Sequence, residues 1–315
     1  MDKTYRGHRV AVVLPCHNEE TAIADVVRAF ADTIPQAKIF VFDNASTDAT
    51  ASRASAAGAS IIRVPIPGKG NVVRRIFADV EADIYVMADG DGTYETGIAP
   101  AMIDKLIDER LDMVVGARKP AGAGQIYRFG HTFGNRLLTG TVAKIFGEGF
   151  TDMLSGYRVF SRRYVKSFPA LSRGFEIETE LTIHALELRA PYAEIETAYS
   201  ARPEGSVSKL STYKDGARIA KAILRLLIRE RPRQVNLMLA FSMAIASLVL
   251  GLPIVFEFLQ TGLVPRFPTA FLAGIIMLGA MLMAITAVIL DSVVTGRSEA
   301  KRLTYLSVPG VRAKD

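Results

Sequence analysis

Two carboxylates one residue apart, Asp89 and Asp91, close an apolar run within residues 84–95, Ile-Tyr-Val-Met-Ala-Asp-Gly-Asp-Gly-Thr-Tyr-Glu. Alternate residues of an extended strand share a face, so both carboxylates can point the same way as the strand opens into a loop. Gly90 and Gly92 permit a tight turn there and the close approach of a bulky ligand. Two hard oxygen donors at a strand's C-terminal end suit a divalent cation that holds a diphosphate. That end is also where open α/β sheets bind ligands. The same residues equally describe an Asp/Gly-rich turn after a buried strand, so the pair must be weighed with the rest of the chain.

Short β-branched runs alternating with helical periodicities supply the elements that would position the pair. Residues 9–15, Arg-Val-Ala-Val-Val-Leu-Pro, suit a strand buried on both faces. Over residues 21–30, Ile23, Val26, Val27 and Phe30 recur at helical spacing, with Asn18 as the expected N-cap. A second strand at 38–42 runs into Asp43-Asn-Ala-Ser-Thr-Asp48, and an Ala/Ser-rich helix reaches Gly58. A third strand at 60–64, a helix at 72–80 opened by Gly68-Lys-Gly-Asn71, and a fourth strand at 83–88 follow. A helix at 98–111 and a strand at 112–116 continue the pattern, with Arg118 and Lys119 after it. Such alternation predicts an α/β, doubly wound, mostly parallel sheet with right-handed crossovers. Asn18-Glu19, Asp43, Gly68-Lys69 and Asp89-Asp91 each follow a strand, so the fold gathers them at one edge.

Composition and spacing exclude several classes. The 315 residues are half hydrophobic, enough for a substantial core and more than one domain. One cysteine, Cys16, rules out an intramolecular disulfide framework and fits a reducing compartment, reading as a small buried residue beside a strand end. The start lacks a charged region followed by an apolar core and cleavage site, so no signal peptide is expected. Gly68-Lys69-Gly70 lacks Walker spacing, Gly90-x-Gly92 lacks the third glycine of a dinucleotide fingerprint, and no Gly-x-Ser-x-Gly elbow occurs. Four scattered histidines lack zinc-ligand spacing, and no nucleic-acid partner is expected.

Taken together, Leu14-Pro-Cys-His-Asn-Glu-Glu20, Phe42-Asp-Asn-Ala-Ser-Thr-Asp-Ala-Thr50, Gly68-Lys-Gly70 and Asp89-Gly-Asp-Gly-Thr-Tyr94 resemble family-2 GT-A glycosyltransferases. Asp152-Met-Leu-Ser-Gly-Tyr-Arg158, Phe175-Glu-Ile-Glu-Thr-Glu180 and Arg202-Pro-Glu-Gly-Ser-Val-Ser-Lys-Leu210 extend the likeness, which covers roughly residues 10–210. The branch resembled is that of polyprenyl-phosphate enzymes, which includes dolichyl-phosphate mannose synthases and bactoprenyl-phosphate glucosyltransferases. The resemblance implies that Pro15, Asn18, Glu19, Asp43, Lys69 and Asp89 line the nucleotide pocket, with Asp43 on the base. It implies that Asp89 and Asp91 meet Mg²⁺ or Mn²⁺ and the donor diphosphate, and that Asp89, Asp91, Asp152 and Arg202 form the catalytic set. Arg118, Arg128, Arg202 and Lys209 would meet the acceptor phosphate, and Ser155, Arg158 and Glu178 would complete the site. Thr93 stands where many relatives carry Gln, and Asn44-Ala45 where Asp-Gly is frequent; Asn44 is therefore assigned no role.

The last third accounts for the positive mean hydropathy. Residues 127–146 mix aromatics and aliphatics with Arg128, Arg136 and Lys144, suiting either a membrane surface or a helix packed on the sheet. Residues 214–233 read as a basic amphipathic helix. Residues 235–259 and 267–290 are nearly uncharged runs, each reaching the roughly 20 residues of a spanning helix. Arginines 229, 231 and 233 precede the first run, and Arg297, Lys301 and Arg302 follow the second. The positive-inside rule then puts the catalytic domain and both termini in the cytoplasm, as a multi-pass protein of the inner membrane. The domains expected are residues 1–211 for catalysis, 212–233 for the juxtamembrane helix, 234–291 for the transmembrane hairpin and 292–315 for a basic tail.

The expected activity is metal-dependent, inverting transfer of a sugar from a UDP- or GDP-linked donor to a polyprenyl phosphate at the cytoplasmic leaflet. The alternatives are a membrane-anchored enzyme using a glycolipid or polysaccharide acceptor, and a non-catalytic membrane scaffold that keeps the fold. Resemblance to two-span relatives leaves room for a homo-oligomer.

Overall fold

Val10–Cys16 carries no charged residue and is buried along its whole length, and it forms the interior strand β1. The computed structural model describes residues 3–119, 150–172, 176–199 and 232–312, with residues 140 and 174 between them. After β1 come α1 (Ile23–Thr33), β2 (Lys38–Asp43), α2 (Thr50–Ala56), β3 (Ser60–Arg63), α3 (Lys69–Asp79) and β4 (Ile84–Met87). A 3₁₀ turn at Thr96–Ile98 leads into α4 (Ala99–Asp108), then β5 (Met113–Lys119), β6 (Arg158–Ser161), α5 (Arg162–Ser167), α6 (Ile177–Leu188) and β7 (Tyr192–Ala198). Two long helices, α7 (Pro232–Thr261) and α8 (Phe267–Ser307), complete the described chain.

The seven strands lie in the order β3-β2-β1-β4-β6-β5-β7. Parallel pairing joins β3, β2, β1 and β4, and also β5 and β7; β6 runs antiparallel between β4 and β5. The expected mostly parallel sheet is therefore present, with β6 as an antiparallel strand within it. Reversal of β6 pairs Met87 with Arg158, which carries the loop before β6 to the edge where the parallel strands end. Ile23, Val26, Val27 and Phe30 of α1 and Met102, Ile103 and Leu106 of α4 are buried in one core with Val12, Leu14, Val86 and Val159.

One local expectation is overturned. Asn18 does not cap α1, whose N-cap is Ala22 without a side-chain hydrogen bond. Asn18 instead has φ +54° and spends its amide on the neighbouring loop, while Glu19 C=O accepts from Ala22 and Ile23 to wind a turn ahead of the helix. An asparagine tolerates that left-handed backbone, which suits a loop more than a cap.

The chain divides into two compact units, Met1–Ile219 with Lys301–Asp315, and Ala220–Ala300. In the second, α7 and α8 are each long and apolar enough to cross a membrane. Their mutual contact uses small residues: Ala240 and Ser247 of α7 and Ala273, Ala280 and Ala287 of α8 are buried, and Ser247 Oγ donates to the Ala273 carbonyl at 2.8 Å. Spacing of seven along both helices keeps these small residues on one seam and lets the backbones approach. Phe241, Leu248, Phe256, Phe271 and Leu278 stay exposed. Charged residues sit at the hairpin's ends, where Glu257 pairs with Arg266 at 3.2 Å and Arg233 with Asp291 at 3.4 Å. The rest of the expected basic helix at 214–231, and the segment at 127–146 apart from residue 140, lie outside the described residues.

Candidate active site

Four loops leave the sheet at the same edge, and hydrogen bonds fasten each to the next. Asn18 N–H donates to Ser46 Oγ at 3.0 Å, and Asn18 Oδ1 accepts from Thr47 N–H at 2.8 Å. Glu19 N–H donates to Thr50 Oγ1 at 2.8 Å. Asp43, buried at the end of β2, accepts from Ser46 N–H at 3.2 Å and so folds its own turn. Pro15, in β1 beside Phe42 of β2, is buried in the floor beneath. Asn44 ties three loops at once. Its N–H donates to Cys16 C=O, its Nδ2 donates to the Val64 and Ile66 carbonyls at 3.0 and 2.8 Å, and its Oδ1 accepts from Gly68 N–H at 2.7 Å. Asn44 thus has a positioning task that the sequence analysis left out; its burial three residues before a Thr-Asp turn leaves no local mark.

The expected carboxylate pair follows β4. Gly90 is needed there because a Cβ would stand 2.3 Å from Cys16 Sγ, and Gly92 because its φ is +73°. Asp91 is buried, and its Oδ1 accepts from the Thr93 hydroxyl at 2.6 Å and the Thr93 N–H at 3.2 Å. Thr93 therefore orients the carboxylate beside it. Asp89 accepts from Lys69 Nζ at 2.5 Å, and the same ammonium reaches Glu178 Oε1 at 2.6 Å. Burial alone would depress the Lys69 ammonium, but Asp89 and Glu178 outweigh it and hold its pKa above the ordinary lysine value. Lys69 opens α3 and Glu178 lies in the first turn of α6, so the pairing joins elements distant in sequence. Of the three alternating glutamates, Glu178 faces this site, whereas Glu180 accepts from the N–H groups of Leu171 and Ser172.

The loop before β6 closes over the same carboxylates. A Cβ on Gly156 would meet Asp89 Oδ2 at 2.7 Å and Lys69 Nζ at 3.1 Å, so only glycine allows this approach. Gly156 N–H donates to the Tyr94 hydroxyl at 2.9 Å. Burial and the Asp89 charge raise the Tyr94 phenol above its ordinary range. Asp152 and Arg118 form a forked pair, Nε to Oδ2 at 2.6 Å and Nη2 to Oδ1 at 2.7 Å. Burial opposes ionisation of Asp152, yet Arg118 prevails and its pKa falls below the usual carboxylate range. Ser155 Oγ donates to Gly116 C=O at 2.6 Å. Arg158 is completely buried and donates to the Ser155 and Met153 carbonyls at 2.9 and 2.6 Å and to Thr182 Oγ1 at 3.0 Å. Ser155 and Arg158 thus hold the loop that bears Asp152. Arg128, Arg202 and Lys209 lie outside the described residues.

The donor set suits a hard divalent cation. Asp89 and Asp91 offer hard carboxylate oxygens, while Glu178 is paired with Lys69. Among the described residues no cluster of three His, Cys, Asp or Glu stands ready to hold a metal alone. Mg²⁺-type sites take one or two carboxylates and complete their shell from substrate phosphates, a demand that Asp89 and Asp91 can meet.

A family model for glycosyl transferase family 2 matches residues 11–168 of this chain. The chain belongs to glycosyl transferase family 2. Glycosyltransferase AglJ of Haloferax volcanii is 36% identical over 221 residues, covering 69% of this chain and 71% of that protein. The dolichyl-phosphate hexose transferase of the same organism is 28% identical over 231 residues, covering 73% of this chain and 98% of that protein. Among solved structures, glucosyl-3-phosphoglycerate synthase of Mycobacterium tuberculosis, in complex with Mn²⁺, uridine diphosphate and phosphoglyceric acid, superposes with a TM-score of 0.59. It is 25% identical, over 70% of this chain and 78% of that one. The fold is GT-A, and two apolar helices follow it in the chain.

Proposed function

We infer that this glycosyltransferase moves a sugar from a nucleoside-diphosphate donor to a polyprenyl phosphate at the cytoplasmic face of a membrane, with inversion at the anomeric carbon. The observation that carries the reading is the combination of the Asp89-x-Asp91 carboxylate pair at the sheet's edge with two helices of membrane-spanning length in one chain. The dolichyl-phosphate hexose transferase of Haloferax volcanii supports the same acceptor class by its name.

In this reading Asp89 and Asp91 would hold Mg²⁺ or Mn²⁺, which neutralises charge on the departing nucleoside diphosphate. Asp43, Asn18, Glu19 and Pro15 shape the nucleotide pocket, and Asn44 fixes how their loops meet. The acceptor is already an anion, so it asks for positive charge more than for a general base. Arg118, Arg128, Arg202 and Lys209 are the proposed source, with Asp152 aiming Arg118 through their fork. Two spans would hold the domain beside the acceptor headgroup and replace a search in volume by one along a surface.

The test is transfer of radiolabelled sugar into an organic-extractable, mild-acid-labile lipid, run with a panel of nucleotide-sugars and a polyprenyl phosphate. One donor should give labelled lipid in a metal-dependent manner. Label appearing only in glycolipid or polysaccharide would overturn the acceptor, and no transfer from any donor would favour a silent scaffold.

A further inference from the structure

Lys69 is caught between two carboxylates of unequal exposure. The Asp89 side chain is 30% exposed and that of Glu178 only 6%, while Lys69 itself is 10% exposed. Asp89 therefore faces the approach and Glu178 the interior, and Gly156 closes the remaining side. A lysine stem is flexible and carries three donors, so its ammonium can lean to either partner without becoming a buried unpaired charge, which would be costly. A divalent cation held by Asp89 would compete with Lys69 for that carboxylate.

We propose that Lys69 is a tethered cation that holds Asp89 until a divalent ion binds there and then rests on Glu178 alone. Glu178 is then a positioning residue that sets metal affinity through Lys69, without touching metal or donor. Without Lys69, the Asp89 and Glu178 carboxylates would lose the cation they share; with it, the pocket keeps its shape until the metal takes over one of its two contacts. The proposal rests on the metal-holding role given above to Asp89 and Asp91, and not on the identity of the acceptor.

The experiment measures Mn²⁺ binding to the full chain in detergent, by loss of the free-ion paramagnetic resonance signal, with no sugar donor present. Glu178→Gln should weaken Mn²⁺ binding by about tenfold, the low end for close charge pairs, because Lys69 then stays on Asp89. Lys69→Met should tighten it by a similar factor, and in that background Glu178→Gln should matter little, a coupling that a double-mutant cycle reads directly. An equal effect of Glu178→Gln in both backgrounds would show Glu178 to be a plain negative charge and end the proposal. Should Lys69→Met fail to fold, Glu178→Asp decides. It keeps the charge on an arm too short to take up the ammonium, so weakened binding supports the exchange and unchanged binding refutes it. If the wild type binds no Mn²⁺ even with uridine or guanosine diphosphate, the metal role and this proposal fall together. If it binds Mn²⁺ but labels no polyprenyl lipid, only the acceptor reading falls.

Discussion

Single atoms set the geometry of the carboxylate loop. Gly90→Ala would drive a Cβ to 2.3 Å from Cys16 Sγ, an overpacking that should cost about 1–3 kcal/mol. Thermal unfolding of the single and double variants checks the cause: Cys16→Ala should restore much of the loss, because it removes the atom struck. Asp91→Asn keeps an oxygen for the Thr93 hydroxyl yet loses the charge, so folding should survive while metal-dependent turnover drops on the order of a hundredfold or more. Thr93→Val removes the hydroxyl hydrogen bond and leaves the backbone one, and the metal concentration for half-maximal turnover should rise by about tenfold. The carboxylates, Lys69 and Asp43 were legible in the chain because each follows a strand whose apolar run announces it. The Lys69–Glu178 pair was not legible as a pair, since 109 positions separate its members and nothing local to α6 shows which glutamate faces inward. The same holds for Arg158, which looks like a site cation in sequence but spends its donors on backbone carbonyls.

At the level of elements, the first four strands and their helices were readable from β-branched runs and helical spacing, to within a few residues. β6 and β7 were not anticipated. β6 is a four-residue strand after a Ser-Gly turn, too short for a period to show, and β7 carries a mixed Tyr-Ala-Glu-Ile-Glu-Thr-Ala sequence with little apolar signal. Helix α6 holds a pH-sensitive point. His184 Nε2 meets Ser167 Oγ at 2.9 Å, and Ser167 in turn donates to the Tyr164 carbonyl, so Nε2 carries the proton. Among the described residues Nδ1 is buried without a partner. Protonation there would place a charge where nothing accepts its hydrogen, and burial, helped by Lys301, lowers the His184 pKa to about 3. An unfolded histidine titrates near about 6.5, so stability is complete above that pH and falls as pH drops toward about 3. The loss at pH ~5.5 should be about 1.4 kcal/mol. Thermal unfolding across that range should show the slope in the wild type and a weaker one in His184→Gln; equal slopes would assign acid sensitivity to other groups.

Across the whole molecule, the catalytic unit is assembled from two separated stretches of chain, because Lys301–Asp315 belongs with Met1–Ile219. Helix α8 runs on to Ser307, past the end of the apolar run, where the sequence suggested only a basic tail. Within this unit Asp112 is fully buried. It accepts from Ser161 Oγ at 2.6 Å, from Arg163 Nη2 at 2.7 Å and from Tyr305 Oη at 2.5 Å. The Arg163 guanidinium also covers the Tyr305 ring at 4.3 Å, and Lys301 pairs with Glu187 at 2.6 Å. Tyr305→Phe should lower stability by about 1–3 kcal/mol, the usual cost of leaving a buried acceptor short of a donor. Cutting the chain at residue 300 should lower it further, and a synthetic peptide of residues 301–312 should restore part of the melting temperature. A soluble version that ends before α7 would lack that segment too. Synthesis adds a timing constraint. At roughly 5–20 residues per second, the ribosome delivers Tyr305 about 5–20 seconds after it finishes β7. Throughout that interval Asp112 waits for its partner while both apolar helices emerge. A substitution that slows the helices' departure from the translation machinery would therefore also delay completion of the sugar-transferring unit, although it touches none of that unit's residues.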